Sequence, residues 1–231
     1  SITVEITWED IKMANFLDEQ IEVPRRTMVV FFIVDTSGSM QGAKIGAVNS
    51  AIEEVLPEIA KISDENADAE IKIAVLDFST DAKWLTPKPI DASNYAFNYL
   101  EAGGLTALGD ACIKLNEKLS RKQFMAEAVG SFAPALFLLS DGEPTDNWER
   151  GLAKLKENKW YQKAIKAAVA IGNDADINVL EAFTGNIESV LTVHTPAALA
   201  KMITFITVTA SEIGSKSSSV GLGVGNSSTD A

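Results

Sequence analysis

Residues 29–40 read VVFFIVDTSGSM: six apolar side chains, then Asp35, then hydroxyls at Thr36, Ser37 and Ser39 around Gly38. An unbroken apolar run has no polar face to turn toward water. It suits a strand covered on both sides, the situation of an interior strand in a parallel sheet. Parallel neighbours must be reached through crossovers, and in such sheets the crossovers are usually helices. This stretch is of the kind a layered α/β fold contains. It also predicts a strand end crowded with oxygen donors, which no ordinary turn requires.

The rest of the chain repeats the pattern. Further apolar runs at 71–78, 135–139, 164–171 and 190–193 are expected as strands, beside 28–34 itself. Helical patterns lie among them at 43–62, 107–121, 148–157, 177–183 and 196–213. In the first helix Ile45, Val48, Ile52, Val55 and Ile59 form one stripe, and Pro57 predicts a bend or a break. The last opens with Thr195 as N-cap and Pro196 in the first turn. AKWLT at 82–86 predicts a short antiparallel strand, and 87–100 an irregular segment with a helical piece. Residues 1–27 are expected as an extension packed on a domain at 28–213, and the Ser/Gly-rich stretch 214–231 as a flexible tail.

Composition narrows the partners. With 46% hydrophobic residues among 231, the chain can bury a sizeable core. A net charge of −12 repels phosphate backbones and anionic bilayers, so neither nucleic acid nor membrane is expected. The single cysteine, Cys112, reads as a buried helix thiol, and the single histidine, His194, as a strand-end residue. Without Cys or His clusters the usual zinc sites are excluded. No stretch reaches twenty uninterrupted apolar residues and no basic leader is visible, so a cytoplasmic location is the expectation.

Ligands of open parallel sheets bind beyond the carboxyl ends of the strands. DTSGS lies at that edge. GGLTALGDA at 103–111 presents Thr106 on a glycine-rich loop, and LFLLSDGEPTD at 136–146 presents Ser140 and Asp141 after another strand. Carboxylates and hydroxyls without a soft ligand suit a hard cation such as Mg²⁺, with Mn²⁺ or Ca²⁺ as alternatives. Each segment alone has a plain explanation: an Asx turn, a helix-capping threonine, an Asp-Gly turn. Their joint occurrence at matching strand ends points to a cation site.

These three segments give the chain a resemblance to the von Willebrand factor type A family with its metal-ion-dependent adhesion site, over roughly residues 27–213. The resemblance implies a three-layer α/β/α, Rossmann-like fold, with about six mostly parallel strands and one short antiparallel edge strand. It implies that Ser37, Ser39 and Thr106 coordinate the metal directly. Asp35 and Asp141 would lie close, often through water, and orient the shell. A carboxylate from a protein partner would complete it. FLLSDGEPTDNW, GGLTALGDA and VDTSGSM further resemble the bacterial TerY-like subgroup of tellurium-resistance and stress proteins, which implies a kinase and a PP2C-type phosphatase as associates.

Two other classes are weighed against this binding module. A metal-assisted phosphohydrolase with Asp35 as nucleophile lacks an acid at Ser37 and a lysine or histidine in the three loops. Glu143 and Asp146 then remain as ordinary solvated loop acids. A dinucleotide site fails because DTSGSMQGAKIG has no Gly-x-Gly-x-x-Gly, and GLGVG at 221–225 sits in the tail. Trp148, just after the third loop, is expected to pack its helix rather than border a partner.

Overall fold

The computed structural model describes residues 25–126, 130–192 and 195–219. Residues 1–24, 127–129, Val193, His194 and 220–231 lie outside them, and with them most of the expected N-terminal extension, the last residue of the expected strand 190–193, the strand-end reading of His194 and most of the expected tail. Seven strands form one sheet: β1 Arg26–Asp35, β2 Ala69–Phe78, β3 Ala82–Trp84, β4 Ile90–Asp91, β5 Ala135–Ser140, β6 Ile165–Ala170 and β7 Val190–Thr192. The order is β3-β2-β1-β5-β6-β7, with β4 also paired to β2. β1, β2, β5, β6 and β7 are mutually parallel, whereas β3 and β4 run antiparallel to β2.

The helices are α1 Ala43–Glu65, α2 Leu108–Lys118, α3 Trp148–Lys156, α4 Lys159–Lys163, α5 Ile177–Thr184 and α6 Pro196–Ser219. Strand side chains alternate between faces, so the apolar run of β1 feeds two cores at once. Met28, Val30, Phe32 and Val34 join the core beneath α1 and α6. Val29, Phe31 and Ile33 join the opposite core with Leu108, Leu115, Leu152 and Leu180 from α2, α3 and α5. Cys112 and Trp148 pack into this second core, as expected. Both faces are covered, so the three-layer α/β/α expectation holds.

The structure departs from the expectations at four places. Of the two outcomes expected at Pro57 the break does not occur, and α1 is continuous through it. The stripe Ile45, Val48, Ile52, Val55 and Ile59 is buried, and at about 1.5–3 kcal/mol per side chain it outweighs the roughly 3 kcal/mol that an interior proline costs. Pro57 also faces outward, where water can serve the carbonyl it leaves unbonded. Within the segment expected as irregular, Ile90 and Asp91 pair with Ile73 and Lys72, adding a second antiparallel strand. The short helix α4 was not anticipated; Asn158 starts it by accepting from the Trp160 and Tyr161 amides. α6 continues past residue 213 to Ser219. Its start is as expected, with Thr195 Oγ1 accepting from the Ala198 amide at 3.2 Å.

Among the described residues no helix is long and apolar enough to cross a membrane.

Candidate metal centre

Val34 on β1 faces Leu139 on β5, so the residues that follow emerge side by side at one sheet edge. Asp35, fully buried, ends β1. Its Oδ1 accepts from the Ser37 amide at 2.8 Å, an Asx turn that bends the chain immediately after the strand. Its Oδ2 accepts from the Ser140 hydroxyl at 2.6 Å. The bend brings the Ser37 and Ser39 hydroxyl oxygens within 3.0 Å of each other. Ser37 is buried and Ser39 exposed, so the pair spans from interior to surface.

The second loop is fastened to the first through backbone. Gly103 N donates to Thr36 O at 2.8 Å and Gly38 N to Gly104 O at 3.1 Å. Gly104 has φ +84°, and a Cβ there would stand 2.5 Å from Thr80 Oγ1, so only glycine fits this approach. Thr106, two residues on, is buried. It does not cap α2, whose first residue is Leu108. Thr106 N donates to Thr145 Oγ1 at 3.0 Å, and Thr145 N returns a bond to Thr106 O at 2.9 Å. Asp146 then supplies the cap that α2 lacks locally, accepting from the Gly109 and Asp110 amides at 3.0 Å each. Asp146 is thus a structural acid rather than a solvated loop acid, while Glu143 is exposed.

Asp141, 1% exposed, completes the set. Its Oδ2 lies 3.2 Å from Lys44 Nζ, but its Oδ1 is buried with no hydrogen-bond partner. Lys44 also reaches a carboxylate oxygen of Asp174 at 2.9 Å. Burial opposes the Lys44 charge, but hydrogen bonds to Asp174 and Asp141 outweigh it and raise the ammonium above its ordinary value. The same bond from Lys44 holds Asp174 below the usual carboxylate range.

Asp35, Ser37, Ser39, Thr106 and Asp141 therefore lie on loops tied together at one edge of the sheet. Their donor set is two carboxylates and three hydroxyls. Among the described residues there is no group of three or more His, Cys, Asp or Glu able to hold a metal. A buried carboxylate oxygen with no partner costs on the order of 1–3 kcal/mol or more. A hard divalent cation beside Asp141 Oδ1 would remove that cost, and hydroxyl and carboxylate oxygens are the donors it prefers. The residues present fit such an ion. Sequence reasoning did not find Lys44, Asp174 or the Asp77 carboxylate that accepts from Thr36 Oγ1. The one available signal was a lysine in the opening turn of a helix, where the dipole disfavours it.

Burial pushes the Asp35 carboxyl above its ordinary value; the bonds from Ser140 and Ser37 pull the other way, and the nearby Asp141 adds to the rise. In metal-free protein the stability linked to this group is fully present below the ordinary carboxylate value. It is lost as pH rises through the elevated one. Melting temperature against pH in EDTA is expected to show this fall, and Asp35→Asn is expected to flatten it. An unchanged profile in the variant would place the titration elsewhere.

The family model described as von Willebrand factor type A domain matches residues 30–205. Among curated proteins the chain is similar to inter-alpha-trypsin inhibitor heavy chain H1 of Bos taurus, 25% identical over 157 residues, covering 66% of this chain and 17% of that protein. The chain spans less than a fifth of the length of the curated relatives it matches. Among solved structures it is similar to the pilus adhesin SpaC from Lactobacillus rhamnosus GG, with TM-score 0.62, 14% identity, and 82% of this chain covered against 30% of that one. It is also similar to proximal thread matrix protein 1 from the mussel byssus, solved with a zinc-occupied MIDAS motif, with TM-score 0.56, 18% identity, and coverages of 81% and 46%. At these identities the structural likeness concerns the fold alone.

Proposed function

Because this chain belongs to the von Willebrand factor type A family, we propose that it is a metal-dependent protein-binding module. In this reading Ser37, Ser39 and Thr106 hold the cation, with Asp35 and Asp141 orienting the shell. The bound ion, Mg²⁺ in first place, supplies an electrophilic position open to a carboxylate from a protein partner. The observation that carries this is Asp141 Oδ1, an ionisable oxygen buried without a partner at the edge where the hydroxyls gather.

The chain's own residues prepare that edge. Asp35 fixes the Ser37 turn and holds the Ser140 hydroxyl, so it acts on position rather than as a nucleophile. Both its oxygens are engaged and the residue is fully buried, which argues against the phosphohydrolase alternative. The likeness of VDTSGSM, GGLTALGDA and FLLSDGEPTDNW to TerY-like sequences supports a finer reading. The module would serve a bacterial tellurium-resistance or stress assembly in the cytoplasm, beside a kinase and a PP2C-type phosphatase.

Titration with Mn²⁺ followed by EPR tests the site. The parent is expected to bind saturably, and Thr106→Val, which keeps shape but removes the hydroxyl, to bind about tenfold more weakly. Absence of saturable binding by the parent, repeated with acetate present to fill the open position, would sink the proposal.

A further inference from the structure

Lys44 is placed against local electrostatics. It occupies the second residue of α1, where the helix dipole disfavours a cation. Its side chain is 19% exposed, and its ammonium sits between Asp141 at 3.2 Å and Asp174 at 2.9 Å. The backbone opposite is shaped to admit it. Gly172 has φ +95°, and a Cβ there would stand 2.6 Å from Lys44 Cε and 2.5 Å from Asp174 Oδ1. Asp141 is anchored a second time, its carbonyl accepting from the Asp176 amide at 2.7 Å. One carboxylate oxygen of Asp141 is thus committed to Lys44, while the other is left without a partner.

We propose that Lys44 is the counter-charge that sets how tightly this site takes a divalent cation, with Asp174 tempering it. The inference rests on the metal-centre reading above. Two carboxylates, Asp35 and Asp141, are buried at this edge. Lys44 offsets one of those charges and steadies Asp141 when the site is empty. The same ammonium repels an incoming divalent ion. Asp174, 64% exposed, offsets part of that positive charge from the solvent side. The pair therefore sets cation affinity below what the oxygen donors alone would give.

Because the two members of one ion pair act with opposite sign, their variants separate this role from a merely structural one. By Mn²⁺ EPR at pH 8, Lys44→Met is expected to bind about tenfold more tightly and Asp174→Asn about threefold more weakly than the parent, both differences shrinking in high salt. In EDTA, Lys44→Met is expected to melt at a lower temperature than the parent, and saturating Mn²⁺ to close that gap. Asp174→Asn, a change at an exposed position, carries the test if Lys44→Met does not fold. Unchanged or weaker binding in a folded Lys44→Met or, where that variant does not fold, unchanged affinity in Asp174→Asn, would overturn the role of Lys44 while leaving the metal site standing. No saturable binding by the parent would overturn the metal site and this inference together.

Discussion

A Ser37→Ala, Ser39→Ala double variant is expected to lose Mn²⁺ affinity by about two orders of magnitude or more, at or above the upper end of the roughly 10–100-fold that supporting residues alone command. The change removes two of three hydroxyl donors and leaves the loop intact. The turn is made by the Ser37 amide bonding to Asp35, which alanine preserves. Gly38 N still reaches Gly104 O, so the second loop stays attached. Ser39 is exposed, and the lost Ser37–Ser39 hydrogen bond is worth about 1 kcal/mol. Circular dichroism is therefore expected to report a folded protein while EPR reports an empty one. Parental affinity in the folded double variant would remove the first loop from the site.

The second large effect is expected on stability, at a place far less conspicuous in sequence. α2 and α3 meet backbone to backbone. A Cβ on Gly151 would lie 2.3 Å from Gly109 O and 2.8 Å from Gly109 Cα. One on Gly109 would lie 2.8 Å from Asn147 O and 3.0 Å from Trp148 Cα. These are main-chain atoms, so relief requires moving a whole helix. Gly151→Val is expected to cost about 3 kcal/mol or more, the upper range for overpacking, read from the midpoint of urea unfolding. Thr106 lies two residues before α2, and Asp146 two before α3, so the same shift disturbs the metal loops. The surviving folded fraction is expected to bind Mn²⁺ more weakly. A variant with parental stability would show that the helices part easily.

Sequence reasoning succeeded where one physical signal dominates. The strands of the sheet centre are continuous apolar runs because both faces are covered, and β1, β2 and β5 stand where 28–34, 71–78 and 135–139 predicted. β4 has two residues and α4 five, too few for any periodicity to register. The break expected at Pro57 does not occur because the buried stripe of α1 outweighs local propensity. That Asp35, Ser37, Ser39, Thr106 and Asp141 gather at one sheet edge was legible because each follows or adjoins a strand end; that they hold a cation is the proposal made above. Lys44 and Asp174 were not legible, since their pairing spans 130 positions and depends on the slot at Gly172. Asp146 was misread for a similar reason: a loop acid shows its role only once α2 is seen starting against it.

The bonds that assemble the metal loops join residues far apart along the chain. Asp35 meets Ser140 across 105 positions and Lys44 meets Asp141 across 97. Closing such large loops is costly, and contacts of this range form slowly because the parallel strands between them must pair first. The site is therefore expected to take shape only after those strands have paired, and comparing folding and unfolding rates with and without Mn²⁺ checks this. An ion held there would not act as a nucleus. It would slow unfolding, lengthening the lifetime of the native state without hastening its formation.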